Sequence, residues 1–248
     1  MILFGGDPHG KFDPIIEHSL RLRPTAVVLL GDQEAACPLD EELADLVDAG
    51  IAIYFISGNH DRDRIELWTN LHGGPAAEWC IDSKIVTLAD GTRIAGLGGC
   101  FMGRIWYPST NPKPIYETRT DFMRSTGPRS AIGAKWRAPY EQTAGLPLYY
   151  RHAIWPEDYK RLAKLRADIL VCHEAPSCFS PGGFAALDEL AQAMRVSLIV
   201  HGHHHTDYLD TLPNGIRVIG VGLAGVRDET GTIHERGRVS LGRRMKND

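Results

Sequence analysis

Gly58-Asn59-His60-Asp61 sets three polar side chains directly after an apolar run, Ile51 to Ile56. Each type suits metal-assisted or acid–base chemistry. Asn offers a neutral oxygen, His exchanges a proton near neutral pH, and a neighbouring Asp can orient that His. Taken alone the tetrapeptide is a moderate signal, against the alternative of a polar strand-end loop with an incidental His. Its weight comes from four further apolar runs that end alike. Ile2–Gly5 runs into Asp7 and His9, and Ala26–Leu30 into Asp32. Ile169–Cys172 runs into His173, and Val196–Val200 into His203 and His205. Seven of the eleven His lie in these loops. The donors are carboxylate, imidazole and amide oxygen with no thiolate, a set that suits manganese, iron or zinc better than copper. Seven or eight donors are too many for one ion. They suit two ions about 3.5–4 Å apart sharing a carboxylate, as in two-metal hydrolytic sites. An Asp can bridge through its two oxygens. An i, i+2 spacing in extended chain would turn Asp7 with His9, and His203 with His205, to one side.

The elements that must hold these loops alternate. A strand at Ile2–Gly5 precedes an amphipathic helix with Phe12, Ile15, Ile16, Leu20 and Leu22 inward. Strand Ala26–Leu30, helix Leu39–Ala49, strand Ile51–Ile56 and a helix over about Asp63–Leu71 follow. That β-α-β-α-β-α order predicts a layered α/β sheet. Lys84–Leu88 and Arg93–Leu97 read as a hairpin about Asp90-Gly91. Helices at Pro156–Arg166 and Gly183–Met194 and closing strands at Ile216–Val221 and Thr232–Leu241 complete the pattern.

Residues 101–155 have no clear periodicity. Eight Lys and Arg against three acids give them +5, leaving -9 for the rest of the chain. They also hold three of five Trp and five of eight Tyr. Such a stretch inside a compact domain is usually functional. We read it as a cap-like insertion that holds substrate, with Arg104, Arg119 and Arg124 as phosphate-binding candidates beside Trp106 and Tyr107. Arg suits phosphate because its planar fork donates two bonds at once. The competing reading is a solvated or dimer-forming loop. His201 and His204 adjoin the last motif but read as packed or solvated, as do His72, His152 and His234. Glu174 and Asp207 read as structural or as neighbours that orient ligands.

The 248 residues, 43% hydrophobic and net -4, fit a single α/β domain over 1–248. Nothing global points to nucleic acid or a membrane. Five scattered Cys without a C-x-x-C pair fit a reducing cytoplasm. Met1-Ile2-Leu3-Phe4 is too short for a signal peptide and leads straight into a motif.

Asp-x-His, Gly-Asp, Gly-Asn-His-Asp, His and Gly-His-x-His, in that order over residues 7 to 205, resemble the calcineurin-like metallophosphoesterase superfamily. The resemblance implies a four-layer αββα sandwich of two mixed β-sheets flanked by helices. It implies that Asp7, His9 and His205 hold one divalent ion and Asn59, His173 and His203 a second, with Asp32 bridging. Manganese ranks first, with iron or zinc as alternatives. It also implies that His60, oriented by Asp61, protonates the leaving oxygen or stabilises the phosphoryl transition state, while a metal-bound hydroxide attacks phosphorus. The opening block resembles phosphoprotein phosphatases, but their second block continues Asp-Arg-Gly where this chain has Asp32-Gln33-Glu34, and their Glu stands where this chain has Asp61. A phosphate-gripping Arg is therefore absent from its usual place. Arg62, Arg64 or an Arg of the insertion remain as substitutes. The expected activity is phosphomonoester hydrolysis on a small molecule or phosphoprotein. A phosphodiesterase on a cyclic nucleotide or nucleic acid is the second reading, and a non-catalytic scaffold the third.

Overall fold

The computed structural model describes residues 1–125 and 145–238. The first sheet has the order β11-β10-β1-β2-β3. Its strands are β1 (Ile2–Gly5), β2 (Ala26–Leu29), β3 (Ala52–Phe55), β10 (Val226–Asp228) and β11 (Ile233–Glu235). The second sheet has the order β4-β5-β6-β7-β9-β8. It contains β4 (Ile85–Thr87), β5 (Arg93–Leu97), β6 (Ile169–Cys172), β7 (Leu198–His201), β8 (Tyr208–Thr211) and β9 (Arg217–Gly220). Strands β1-β2-β3 run parallel, as do β5-β6-β7-β9, and the outer strands are antiparallel, so both sheets are mixed.

Period-two alternation builds the layers. Ile2 and Phe4 of β1, Ala26 and Val28 of β2, Ile169 and Val171 of β6, and Leu198 and Val200 of β7 fill one core between the sheets. Their neighbours Leu3, Val27 and Leu29 face outward under helices α1 (Asp13–Leu22), α2 (Leu39–Glu42) and α3 (Ala44–Asp48). Leu170, Cys172 and Ile199 face the opposite way, under α7 (Pro156–Leu162) and α8 (Ala185–Met194). A strand covered on both faces reads as an unbroken apolar run, and that is why these strands stand out in the sequence. Helix α4 (Ile65–His72) follows the β3 loop. None of the described helices is long and apolar enough to cross a membrane.

Three expectations change. The helix expected at Leu39–Ala49 breaks at Leu43, whose φ of -108° and ψ of 24° leave two short helices. The strand expected at Thr232–Leu241 is confined to Ile233–Glu235, and residues 239–241 lie outside the described part. Strands β8 and β10 carried no apolar signal. β8 is an exposed edge strand, and β10 buries the polar Arg227 and Asp228.

The described parts of 101–155 are irregular apart from α5 (Arg119–Arg124) and α6 (Leu148–Arg151). Their large side chains pack inward. Phe101, Ile105, Trp106, Phe122, Tyr150 and Trp155 join Leu170 and Leu190 in the core over the second sheet.

Candidate metal centre

The loops carrying the donors all leave the C-terminal ends of parallel strands β1, β2, β3, β6 and β7, where open α/β sheets keep their sites. The chain is sharply kinked there. Asp7, His9, Asp32, His203 and His205 have φ of 36°, 45°, 52°, 68° and 52°. The Asp-x-His and His-x-His pairs therefore converge through left-handed turns, not along extended chain as the spacing suggested. Such backbone costs about 1–3 kcal/mol per residue and persists where the surroundings impose it. Gly31 and Gly58 permit the crowding, since a Cβ on either would strike the His173 ring or Asp32.

All seven expected donors meet. His9 Nε2 lies 3.3 Å from His205 Nε2 and 3.7 Å from Asp32 Oδ2. His173 Nε2 lies 3.1 Å from Asn59 Oδ1 and 3.5 Å from the same Asp32 Oδ2. His203 sits with His173 in a group of donors within 4.8 Å of one another, and Asp7 with Asp32 and His173 in another. Donors bound to one ion at about 2.0–2.3 Å stand roughly 3–4 Å apart, and the separations of 3.1–3.7 Å fit that range. Asp32 Oδ1 accepts the His60 N–H at 2.7 Å. Its Oδ2 faces both groups.

Outer partners fix the rings. His9 Nδ1 donates to Glu34 Oε1 at 2.6 Å and His173 Nδ1 to the Leu30 carbonyl at 2.8 Å, which turns each Nε2 to the centre. The His203 N–H donates to Asp7 Oδ1 at 3.0 Å, while Asp7 Oδ2 is buried with no partner. A buried carboxylate oxygen that no donor satisfies, set amid imidazoles, is the mark of a cation site. The buried carboxylates set the charge here. Burial, and then repulsion from Asp32, push Asp7 up to about 7 against the pull of His173. Burial opposes charge on His173, yet Asp32 and Asp7 raise it to about 10. Burial lowers His205 to about 4, which keeps the ring neutral, the form in which imidazole binds a metal. The residues fit two divalent ions.

Asp61 requires a correction. Its buried carboxylate accepts the Gly58 N–H at 2.8 Å and the Glu34 N–H at 3.0 Å, and it braces the loop. The ring of His60 is held instead by Asp63, at 2.8 Å from Nδ1. Asp61 directly follows His60, but its side chain turns back to backbone donors; three residues after His60, in a turn closed by the Asp63 N–H donating to the His60 carbonyl at 3.0 Å, Asp63 lies beside the ring. That hydrogen bond raises His60 to about 9 despite partial burial.

Arg119 is a second correction. Its two terminal nitrogens bind Glu157 at 2.9 Å and Asp158 at 2.5 Å, and it lies over the Trp155 ring. Its fork is already filled by carboxylates. Arg104 and Arg124 are exposed. Among the described residues, the cation beside the centre is Arg62, whose Nε donates to His152 Nδ1 at 3.2 Å and whose guanidinium covers the Tyr149 ring at 4.4 Å. Asp32 is near enough to act on its charge.

Glu34 and Asp63 were missed because a carboxylate between motif residues carries no signal of its own. His201 bridges the Gly202 carbonyl and the Tyr208 hydroxyl, and His204 stacks on Phe179, as packed histidines. His72 stacks on Trp68, and His234 bonds Asp228. Asp207 binds Arg227 and two backbone N–H groups.

A profile of the calcineurin-like phosphoesterase family matches residues 1–207. The chain belongs to that family. An uncharacterized protein of Haemophilus influenzae is 35% identical to this metallophosphoesterase over 234 residues, covering 93% of this chain and 95% of that one. The fold resembles TT1561 of Thermus thermophilus, with a TM-score of 0.55, 13% identity, and coverage of 95% and 97%. It also resembles a dimetal phosphatase of Danio rerio, with a TM-score of 0.53, 12% identity and 91% of each chain covered. The metallophosphoesterase is thus a phosphoric ester hydrolase of a dimetal-dependent family, acting on phosphorylated substrate.

Proposed function

We propose that the protein is a phosphomonoesterase working with two divalent ions. Asp7, His9 and His205 hold one ion and Asn59, His173 and His203 the other. Asp32 Oδ2, facing both groups at 3.7 and 3.5 Å, is the observation that carries this reading. Manganese, iron and zinc all suit oxygen and nitrogen donors. Bound there, such a pair supplies charge neutralisation at the phosphoryl oxygens and acidifies a water.

The chain's own residues do the rest. Asp63 holds His60 Nδ1 at 2.8 Å and leaves Nε2 as the nitrogen that gives a proton to the departing oxygen. Arg62, set by His152 and Tyr149, grips a phosphoryl oxygen. A monoester carries more charge on its terminal phosphoryl than a diester, so an added guanidinium favours the monoester. Asp61 keeps the loop in shape by accepting from Gly58 and Glu34. Five free cysteines fit a reducing, cytoplasmic setting.

The test is turnover of p-nitrophenyl phosphate against bis-p-nitrophenyl phosphate with added manganese. Faster monoester hydrolysis is expected; faster diester hydrolysis replaces this reading with a phosphodiesterase.

A further inference from the structure

Cys100 stands at the metal centre although nothing in its sequence context marks it. It follows Gly98-Gly99 at the end of β5, a strand with no donor in the expected set. Its backbone is clamped on both sides. The Cys100 N–H donates to the His152 carbonyl at 2.9 Å, and the Ile154 N–H donates to the Cys100 carbonyl at 2.9 Å. Gly99 makes the approach possible with a φ of +84°, and a Cβ there would strike the His152 carbonyl. The buried sulfur is thereby set 3.8 Å from Asn59 Oδ1. It also lies with His173 and His203 in a group of donor atoms all within 4.8 Å of one another.

Four chain segments thus converge on one point with a sulfur, an amide oxygen and two imidazoles. The separations suit donors around one ion, since a longer metal–sulfur bond of about 2.3 Å widens the edges it shares. The other position, formed by His9, Asp32 and His205, has no sulfur. The remaining four cysteines, all among the described residues, join no such group.

We propose that Cys100 is a sulfur ligand to the ion held by Asn59, His173 and His203. The proposal rests on the two-ion reading above. On binding, the thiol proton passes to solvent and the thiolate bonds the ion, with no change of oxidation state. A soft thiolate makes this position select zinc or iron(II) over manganese, whereas the all-oxygen-and-nitrogen position keeps the harder preference. The two ions are then chemically unlike.

X-ray absorption of the zinc-loaded wild-type protein tests this without any variant. A sulfur shell at about 2.3 Å is expected, amounting to one sulfur for each pair of zinc ions. A protein holding two zinc ions with only oxygen and nitrogen neighbours overturns the sulfur ligand and leaves the two-ion reading standing. A protein that takes up no zinc overturns both. Cobalt substitution assigns the residue. The wild type and Cys178→Ser should show a sulfur-to-cobalt charge-transfer band in the near ultraviolet, and Cys100→Ser should lose the band while retaining cobalt. A band that survives in Cys100→Ser overturns the assignment.

Discussion

His9 and Arg119 were both picked out by residue type, one from a strand-end loop and one from the 101–155 segment. His9 reaches the centre, with its Nε2 facing Asp32 and His205 and its Nδ1 tied to Glu34. Arg119 is spent on Glu157 and Asp158. The difference lies in what each position constrains. A loop at the end of a parallel strand is fixed in space by the ladder beneath it, so its residue types report its neighbours. In an irregular segment, chain order says nothing about which acid will fold against which base. Arg119 answers to the acids of the neighbouring helix instead of to substrate.

The largest expected effect tests the loop side. Asp32→Ala should abolish hydrolysis and remove at least one ion, as read by metal analysis. A variant that is active and fully metallated would break the bridging role. His60→Ala should cut turnover by about 10²–10⁴-fold while metal content holds, because a general acid contributes about that much. Loss of metal instead would make His60 a ligand.

A smaller contrast separates two neighbouring carboxylates. Asp63→Asn should lower kcat by roughly 10–100-fold with stability little changed, as for groups that orient a functional ring. Asp61→Ala should chiefly cost stability, about 1–3 kcal/mol for each buried N–H left without an acceptor. Chemical denaturation reads that loss, and a stable, inactive Asp61→Ala would return the orienting role to Asp61.

The arginines sharpen the comparison last. Arg62→Ala should raise KM for a monoester about 10–100-fold, the worth of a charged hydrogen bond. Arg119→Ala should leave KM within about twofold and lower stability by about 1 kcal/mol or less, since it ends a part-exposed ion pair. Equal effects of the two on KM would show that the insertion does hold substrate.

Much of the fold was legible because buried parallel strands announce themselves as apolar runs. The elements that escaped lack an apolar run: β10 buries one apolar side chain, Val226, beside two polar ones. β8 is exposed beyond Tyr208, and β10 hides Arg227 against Asp207. Within the site, donors that end strands were legible, whereas supporting groups were not. Glu34, Asp63 and Arg62 lie among motif residues and act through distances of 2.6, 2.8 and 3.2 Å that no spacing rule contains.

Residue identity alone settled which chemistry was available: carboxylate, imidazole and amide donors at the ends of five strands, enough for two cations. Only the folded chain decided how that chemistry is arranged. The left-handed turns at Asp7, His9, Asp32, His203 and His205, the Asp32 oxygen that faces both donor groups, and the placement of the Cys100 sulfur arise from contacts between distant segments. Side-chain direction depends on backbone angles and on competing hydrogen-bond donors, and those are fixed only when the two sheets close on each other.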